Sequence, residues 1–392
     1  MSLKTFEQSD LTPKICVVLG TRPGIVKMSP IIRALTTQKA SFFCVHTGQH
    51  YSYQMDRVFF EELGLPDPTY RVVETQNHPT HAGQTAEMMK GIEVALISAR
   101  PRVVLVGGDA NTNLAGALAA RKLGMILGHV EAGLRSRDWR MPEEHNRTMI
   151  DHISDLLLAP TDFAASNLRQ ESVRGNIFVV GNTIVDAVGQ HSALAAQKSQ
   201  VLDKLGLQSG RYTILTVHRE ENVDSRENLK RIADIVTRLS AEKVSECIVF
   251  PMHPRTRERL ASAGFLESFS RLPGLMMTEP YGYLDFLALL SSAAIILTDS
   301  GGLQEEACIL RVPCVTLREN TERPETVTVG ANIIAGLDAK SVMSAIVTSL
   351  AKPREWSQPL GDGRAGERIA RIAMDAAAGK GLPQPECDTL PV

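Results

Sequence analysis

"PRVVLVGGDANTNLAGALAARKLG", Pro101 to Gly124, sets an unbroken apolar run against two glycines and an aspartate, and then an amphipathic stretch. A run apolar at every position, rather than at alternate ones, reads as a strand covered on both faces, which is the signature of a parallel sheet. The same rhythm appears in "KICVVLG" before "SPIIRALTTQ", in "MILGHVEAG", and in "LLLAPT" before "DFAASNLRQESV". It restarts with "RYTILTVHRE", "SECIVFPMHP", "AAIILTDSGG" and "VPCVTLREN", after a polar, helix-prone stretch, "VGNTIVDAVGQHSALAAQKSQVLDKLGL", that reads as a crossover near Asp186. A chain of 392 residues is long enough for two domains of about 100–200 residues, each with its own core. The expectation is an α/β protein of two doubly wound Rossmann-like domains, residues 1–186 and 187–362, facing a cleft at the carboxyl ends of their strands. Residues 363–392 should supply an amphipathic helix, "GERIARIAMDAAA", packed back on the first domain, and a frayed Pro/Gly-rich tail.

The 42 Lys plus Arg nearly balance the 44 Asp plus Glu, so no general basic field favours nucleic acid or an anionic membrane. An anionic ligand must then be held by local design. No apolar run approaches the roughly 18 residues of a membrane span, and the start carries no apolar leader, so a soluble cytoplasmic protein is expected. Six scattered cysteines without a CxxC pair read as buried free thiols. The histidines form no HExxH or other zinc spacing, so no metal is expected.

"LTDSGGLQEEA", Leu297 to Ala307, ends a strand and opens a helix at once. Gly301 and Gly302 let a ligand approach the backbone, and free N–H groups with the helix dipole attract phosphate; an ordinary turn capped by Ser300 is the alternative. Glu305 or Glu306 can accept from ribose hydroxyls, or simply complement the dipole. There is neither GxGxxG after the first strand nor GxxxxGK[ST] anywhere, which points away from dinucleotide redox and P-loop hydrolysis and toward a sugar nucleotide. In "GTRPGIVKMSP", Arg22 offers a planar fork suited to a diphosphate, and Lys27 follows in the next helix. Arg22 and the Ser300 turn can grip one pyrophosphate from two sides.

Acids at strand ends face such a cleft: Asp109 in "VLVGGDANTN", and Glu131, with His129 and Arg135, in "LGHVEAGLRSRD". In "MPEEHNRTMIDH", Pro142 starts a helix, and Glu144 and His145 read as solvated. His218 and Arg219 end a strand of the second domain, where a histidine can bind phosphate or move protons; His253 reads as structural. Phe286 can cover a flat base or pack in the core.

Taken together, "GTRPGIVKMSPII", "HTGQHYSYQM", "GDANTNLAGALAA", "GHVEAGLRS", "MPEEHNR", "VGNTIVDA", "VHREENV", "FPMHPRT", "LTDSGGLQEEA" and "NTERPETVTVG" resemble the non-hydrolysing UDP-N-acetylglucosamine 2-epimerases, in order over residues 14–375. The resemblance implies a GT-B-like fold, no cofactor, a homodimer, and reversible conversion of UDP-GlcNAc to UDP-ManNAc by elimination of UDP and its re-addition. It implies Arg22, His218, Ser300, Gly301, Gly302 and Glu306 around UDP, with Phe286 against uracil. Asp109, Glu131 and Glu143 become the catalytic acids, His218 joins them, and Lys27 and Arg147 support the sugar site. A second UDP-GlcNAc as activator is implied near Gln49 and His50. The chain departs from the usual motif in having Gly24 for glutamate and "GGDANTN" for the commoner GDTNT. A hydrolysing relative, a GT-B glycosyltransferase and a silent sugar-nucleotide binder are the competing classes.

Overall fold

The computed structural model describes residues 14–48, 53–72 and 80–380. Gln49, His50, Cys387 and the expected tail lie outside the described residues.

The first sheet comprises β1 (Ile15–Leu19), β2 (Phe42–His46), β3 (Tyr70–Arg71), β4 (Val103–Gly107), β5 (Ile126–Val130), β6 (Leu156–Ala159) and β7 (Asn176–Val179). Its strands are parallel in the order β3-β2-β1-β4-β5-β6-β7. The second comprises β8 (Tyr212–Thr216), β9 (Cys247–Pro251), β10 (Leu275–Thr278), β11 (Ile295–Thr298), β12 (Cys314–Thr316) and β13 (Asn332–Ile334). These too are parallel, in the order β10-β9-β8-β11-β12-β13. Both are doubly wound, as the apolar rhythm requires.

The unbroken apolarity has a direct packing cause. On β4, Val103 and Leu105 join one core cluster with Val17, while Val104 and Val106 join another with Cys16 and Val18. Each face of the sheet is therefore covered. Cys16, Cys44, Cys308 and Cys314 are buried free thiols, and Cys247 is half-buried.

In a doubly wound sheet the loops diverge where the strand order reverses, leaving a crevice at the carboxyl ends. The reversals lie between β1 and β4 and between β8 and β11. The segments leaving those four strands carry Arg22, Asp109, His218 and Ser300.

The two sheets are joined by direct contacts. Glu62 accepts from the backbone N–H of Tyr283 at 2.7 Å and of Leu284 at 3.3 Å, so a carboxylate of one half caps a helix of the other. Asn182 donates to Glu305 at 2.7 Å, and Thr161 to Glu325 at 2.5 Å. The helix Ala365–Ala377 returns to lie along the helix Arg22–Thr37. Its first N–H groups are capped by Asp186, at 3.2 Å from Ala365 and 2.8 Å from Gly366. No helix among the described residues is long and apolar enough to cross a membrane.

Gly366 is a point of close approach in that docking: a Cβ there would lie 2.7 Å from the backbone carbon of Pro30 and 2.8 Å from its oxygen. Gly366→Ala should destabilise the protein by about 1–3 kcal/mol, the usual cost of overpacking. A urea midpoint equal to that of the parent would refute this packing account.

Candidate active site

The backbone after β4 is fixed by side chains before any acid is considered. Asn113 donates to Gly107 O at 2.6 Å, and Asn146 donates to Asp109 O at 2.9 Å. Asp109 is thereby held with its carboxylate against the Arg147 guanidinium. Burial pushes the Asp109 carboxyl up, but Arg147, Lys27 and Arg219 more than offset this and hold it below its ordinary value.

Glu131, just past β5, has φ 69°, a left-handed conformation that costs a non-glycine residue about 1–3 kcal/mol. The sequence reading puts this acid open to the cleft; it is only 4% exposed. Lys27 donates to its Oε2 at 2.8 Å, while Oε1 is buried without a hydrogen bond and lies 3.8 Å from Arg323. An unsatisfied carboxylate oxygen held in a strained backbone is expensive, and such expense concentrates at functional sites. Lys27 pays a desolvation penalty, yet Glu131 and Glu305 more than offset it and raise its pKa, so the ammonium stays charged.

Pro142 begins the helix Pro142–Ile153 at its first position. Glu143 pairs with Arg219 from the other half at 3.2 Å. Glu144 is not solvated, contrary to expectation: it is 2% exposed and folds back to accept from the backbone N–H of Ser136 at 3.0 Å and of Arg137 at 2.9 Å. A first-turn acid can satisfy a preceding loop as well as the dipole, and this loop claims it. Arg147 lies 3.0 Å from Glu144 and 3.7 Å from Glu322, besides its contact with Asp109.

In the second half, Asp299 is fully buried and organises the loop after β8. It accepts from His218 N at 3.0 Å, Arg219 N at 2.9 Å and Asn222 Nδ2 at 3.0 Å, and His218 Nδ1 lies 3.1 Å away. The His218 side chain remains 40% exposed. His253 is a helix N-cap, accepting from Arg255 N at 3.3 Å.

Ser300 occupies the N-cap position of the helix Gly301–Ile309, but its side chain makes no capping bond. A Cβ on Gly301 would come no nearer than 3.5 Å to Glu322, and one on Gly302 no nearer than 4.0 Å to Ser300. Packing within the chain therefore does not demand glycine at either position. The bare helix start is suited to an anion. Of the paired acids, Glu305 is committed to Arg323 and Asn182. The Glu306 carboxyl makes no hydrogen bond or ion pair within the described residues, and burial, then the neighbouring Glu305, push its pKa up to about 8 despite Lys27.

Arg22 opens the first helix, its guanidinium 5.2 Å from the centre of the Phe59 ring. Phe286, in the helix that Glu62 caps, is half-buried against the core. Gly24 donates its N–H to Thr21 Oγ1 at 3.2 Å. Lys27, Asp109, Glu131, Glu143 and Arg147 thus meet in one ion-pair cluster with Arg219, which the sequence places at a strand end, and with partners that the sequence reading does not single out: Arg318, Glu322 and Arg323. Glu322 is 2% exposed. Burial opposes its ionisation, but Arg318, Arg219, Arg147 and Arg323 hold it far below the ordinary carboxylate range. The available signal was the charged run "RENTERPE" directly after β12, the same strand-end rule that selects His218.

The UDP-N-acetylglucosamine 2-epimerase family model matches residues 33–374. The UDP-N-acetylglucosamine 2-epimerase of Methanocaldococcus jannaschii is 49% identical over 363 residues, 92% of this chain and 98% of that protein. The chain belongs to this family. The crystal structure of the M. jannaschii enzyme in complex with UDP-GlcNAc and UDP superposes with a TM-score of 0.87 at 48% identity, covering 92% of this chain and 99% of that one. Among other epimerases, the UDP-2,3-diacetamido-2,3-dideoxy-D-glucuronate 2-epimerase of Pseudomonas aeruginosa is 39% identical over 360 residues, covering 91% of this chain and 98% of that protein.

Two outcomes follow from the geometry. Ala110 is the N-cap of the helix Asn111–Lys122 with φ −68°, ψ 156° and no side-chain cap. Ala110→Ser should stabilise by about 1 kcal/mol in chemical denaturation; an unchanged midpoint would show that the cap is already satisfied. For Glu306, the folded protein holds a proton between the ordinary carboxyl value of 4.5 and about 8, a proton that the unfolded chain has released. Stability therefore falls as pH rises through that window. Glu306→Gln removes the slope, so its urea midpoint should gain on the parent's between about pH 5 and about pH 8; a constant difference would mean that Glu306 is ionised throughout.

Proposed function

We propose that this protein interconverts UDP-GlcNAc and UDP-ManNAc without net hydrolysis, by eliminating UDP to a 2-acetamidoglucal and adding it back. The observation that carries this reading is the meeting of Asp109 and Glu131 with Lys27 and Arg147 in one ion-pair cluster, with Glu131 and Arg147 buried and Asp109 partly open, at the boundary between the halves that carry the switch-point loops. The hydrogen on C2 is not next to a carbonyl, so a base alone cannot remove it at useful speed. In the elimination, the C2–H electron pair forms the C1–C2 double bond as the C1–O bond breaks, and UDP takes that bond's electrons. Return of a proton to the opposite face of C2, with UDP re-adding at C1, completes the epimerisation.

Asp109, Glu131 and Glu143 serve the proton transfers, supported by Lys27 and Arg147, and with His218 they form the catalytic set. Arg22, His218 and the turn Ser300–Gly301–Gly302 stabilise the departing diphosphate. Glu306 meets the ribose and Phe286 the uracil. The reading uses no cofactor or metal. It carries with it a cytoplasmic homodimer and a second UDP-GlcNAc as activator at the stretch containing Gln49 and His50.

The test is incubation with UDP-GlcNAc alone in deuterated water, followed by NMR at C2. Deuterium at C2 together with UDP-ManNAc is expected. Asp109→Asn or Glu131→Gln should lower exchange by at least about 100-fold, the scale of general acid–base catalysis, while UDP still binds. Free ManNAc would instead make the protein a hydrolysing epimerase. An unchanged spectrum would sink the epimerase reading.

A further inference from the structure

Behind the cluster lies a second set of charges that the proposed chemistry does not use. His129, on β5, is fully buried, as is Asp151, near the end of the helix Pro142–Ile153. His129 Nδ1 lies 2.7 Å from Asp151 Oδ1, and Nε2 lies 3.1 Å from Gly108 O. The other Asp151 oxygen, Oδ2, accepts from Gly133 N at 3.1 Å and pairs with Arg135 at 2.7 Å. Arg135 continues to Glu171, its Nη2 2.6 Å from Oε2.

The donor and acceptor roles in this set are forced. Independently of His129, the Asp151 carboxylate accepts from the Gly133 N–H and pairs with the Arg135 guanidinium, which holds it in its ionised form. An ionised carboxylate only accepts, so the nitrogen facing it must donate. A carbonyl oxygen also only accepts, so the nitrogen facing Gly108 must donate as well. A neutral imidazole would press a lone pair against one of these oxygens in a fully buried site. Two cations, His129 and Arg135, then face two anions, the buried Asp151 and the half-buried Glu171, which also lies 3.6 Å from His152.

The placement of this set is what gives it a role. Gly107, Gly108 and Asp109 present three successive carbonyls, which accept from Asn113, His129 and Asn146 respectively. The backbone that presents Asp109 therefore has a charged donor at its middle position. On the other side, Gly133, two residues after Glu131, is held by Asp151 at its N–H and by Asn167 at its carbonyl, at 2.9 Å. Gly133 has φ 82°, and a Cβ there would lie 2.2 Å from Ala164 O, so this loop has no slack to take up a shift.

We infer that His129 donates from both ring nitrogens and, with Asp151, is a positioning residue that sets Asp109 and Glu131 relative to each other for proton transfer at C2. The activity part rests on the epimerase reading above; the protonation part does not.

The experiment uses the full chain with 15N-labelled histidine, without ligand, at neutral pH. His129 should show two protonated ring nitrogens in long-range 15N–1H correlation, assigned by loss of the pair in His129→Gln and by its shift in Asp151→Asn. One unprotonated nitrogen overturns the inference. In the same variants, kcat for C2 exchange should fall about 100-fold, the scale of a misplacement of about 1 Å, with UDP affinity and KM nearly unchanged. Undiminished exchange, or loss of UDP affinity in proportion to the loss of rate, also overturns it. If either variant fails to fold, the other supplies both the assignment and the kinetics. A parent protein that exchanges no hydrogen at C2 would sink the functional reading alone and leave the histidine spectrum as the test of this one.

Discussion

Glu322 receives guanidinium groups from both halves of the molecule, and the closed arrangement depends on that convergence. Arg318 donates to it at 2.8 Å and Arg219 at 3.4 Å from the second half, while Arg147 stands 3.7 Å away from the first. Burying these charges costs several kcal/mol per ion, recovered only when the partners are complete. Contact between the halves is what completes them. Arg219 with Glu143, and Arg323 with Glu131, repeat the device across the same boundary. Separating the halves would leave buried or half-buried charges short of partners on both sides at once, so the cluster is complete only with the halves in contact.

How much of this was legible follows from where each residue's cause lies. Asp109, Glu131, His218 and Ser300 follow strand ends, and a doubly wound sheet delivers such positions to the crevice whatever their partners are. Arg22 and Lys27 follow the same rule through β1. The sheet order itself follows from runs apolar at every position, since residues such as Val103 and Val104 must satisfy opposite faces. These are local causes, readable one strand at a time.

Glu144 and Glu322 were not legible because their partners are remote or conformational. Nothing in "MPEEHNR" tells which of two adjacent glutamates reaches out to Arg219 and which folds back on Ser136 and Arg137; the answer depends on the path of the loop before the helix. Glu322 depends on arginines from its own segment, Arg318, and from two others, Arg147 and Arg219. A charged run after a strand marks the place, but only the packed halves show that its glutamate is 2% exposed. His129 belongs to the same class: its neighbours Gly108 and Asp151 come from separate elements.

The charge arrangement also constrains how a diphosphate can be accommodated. Lys27, Arg147, Arg219, Arg318 and Arg323 are already paired with Asp109, Glu131, Glu143, Glu144, Glu305 and Glu322. The cluster therefore offers no surplus positive charge to an incoming anion. Two groups outside it are the bare start of the helix Gly301–Ile309 and the exposed side of His218. A diphosphate seated there lies against a buried field already close to balance, and any guanidinium that turns toward it must leave an acid. Arg219 is placed for that exchange, because its partner Glu143 is the most exposed of its contacts and the cheapest to release into a polar cleft.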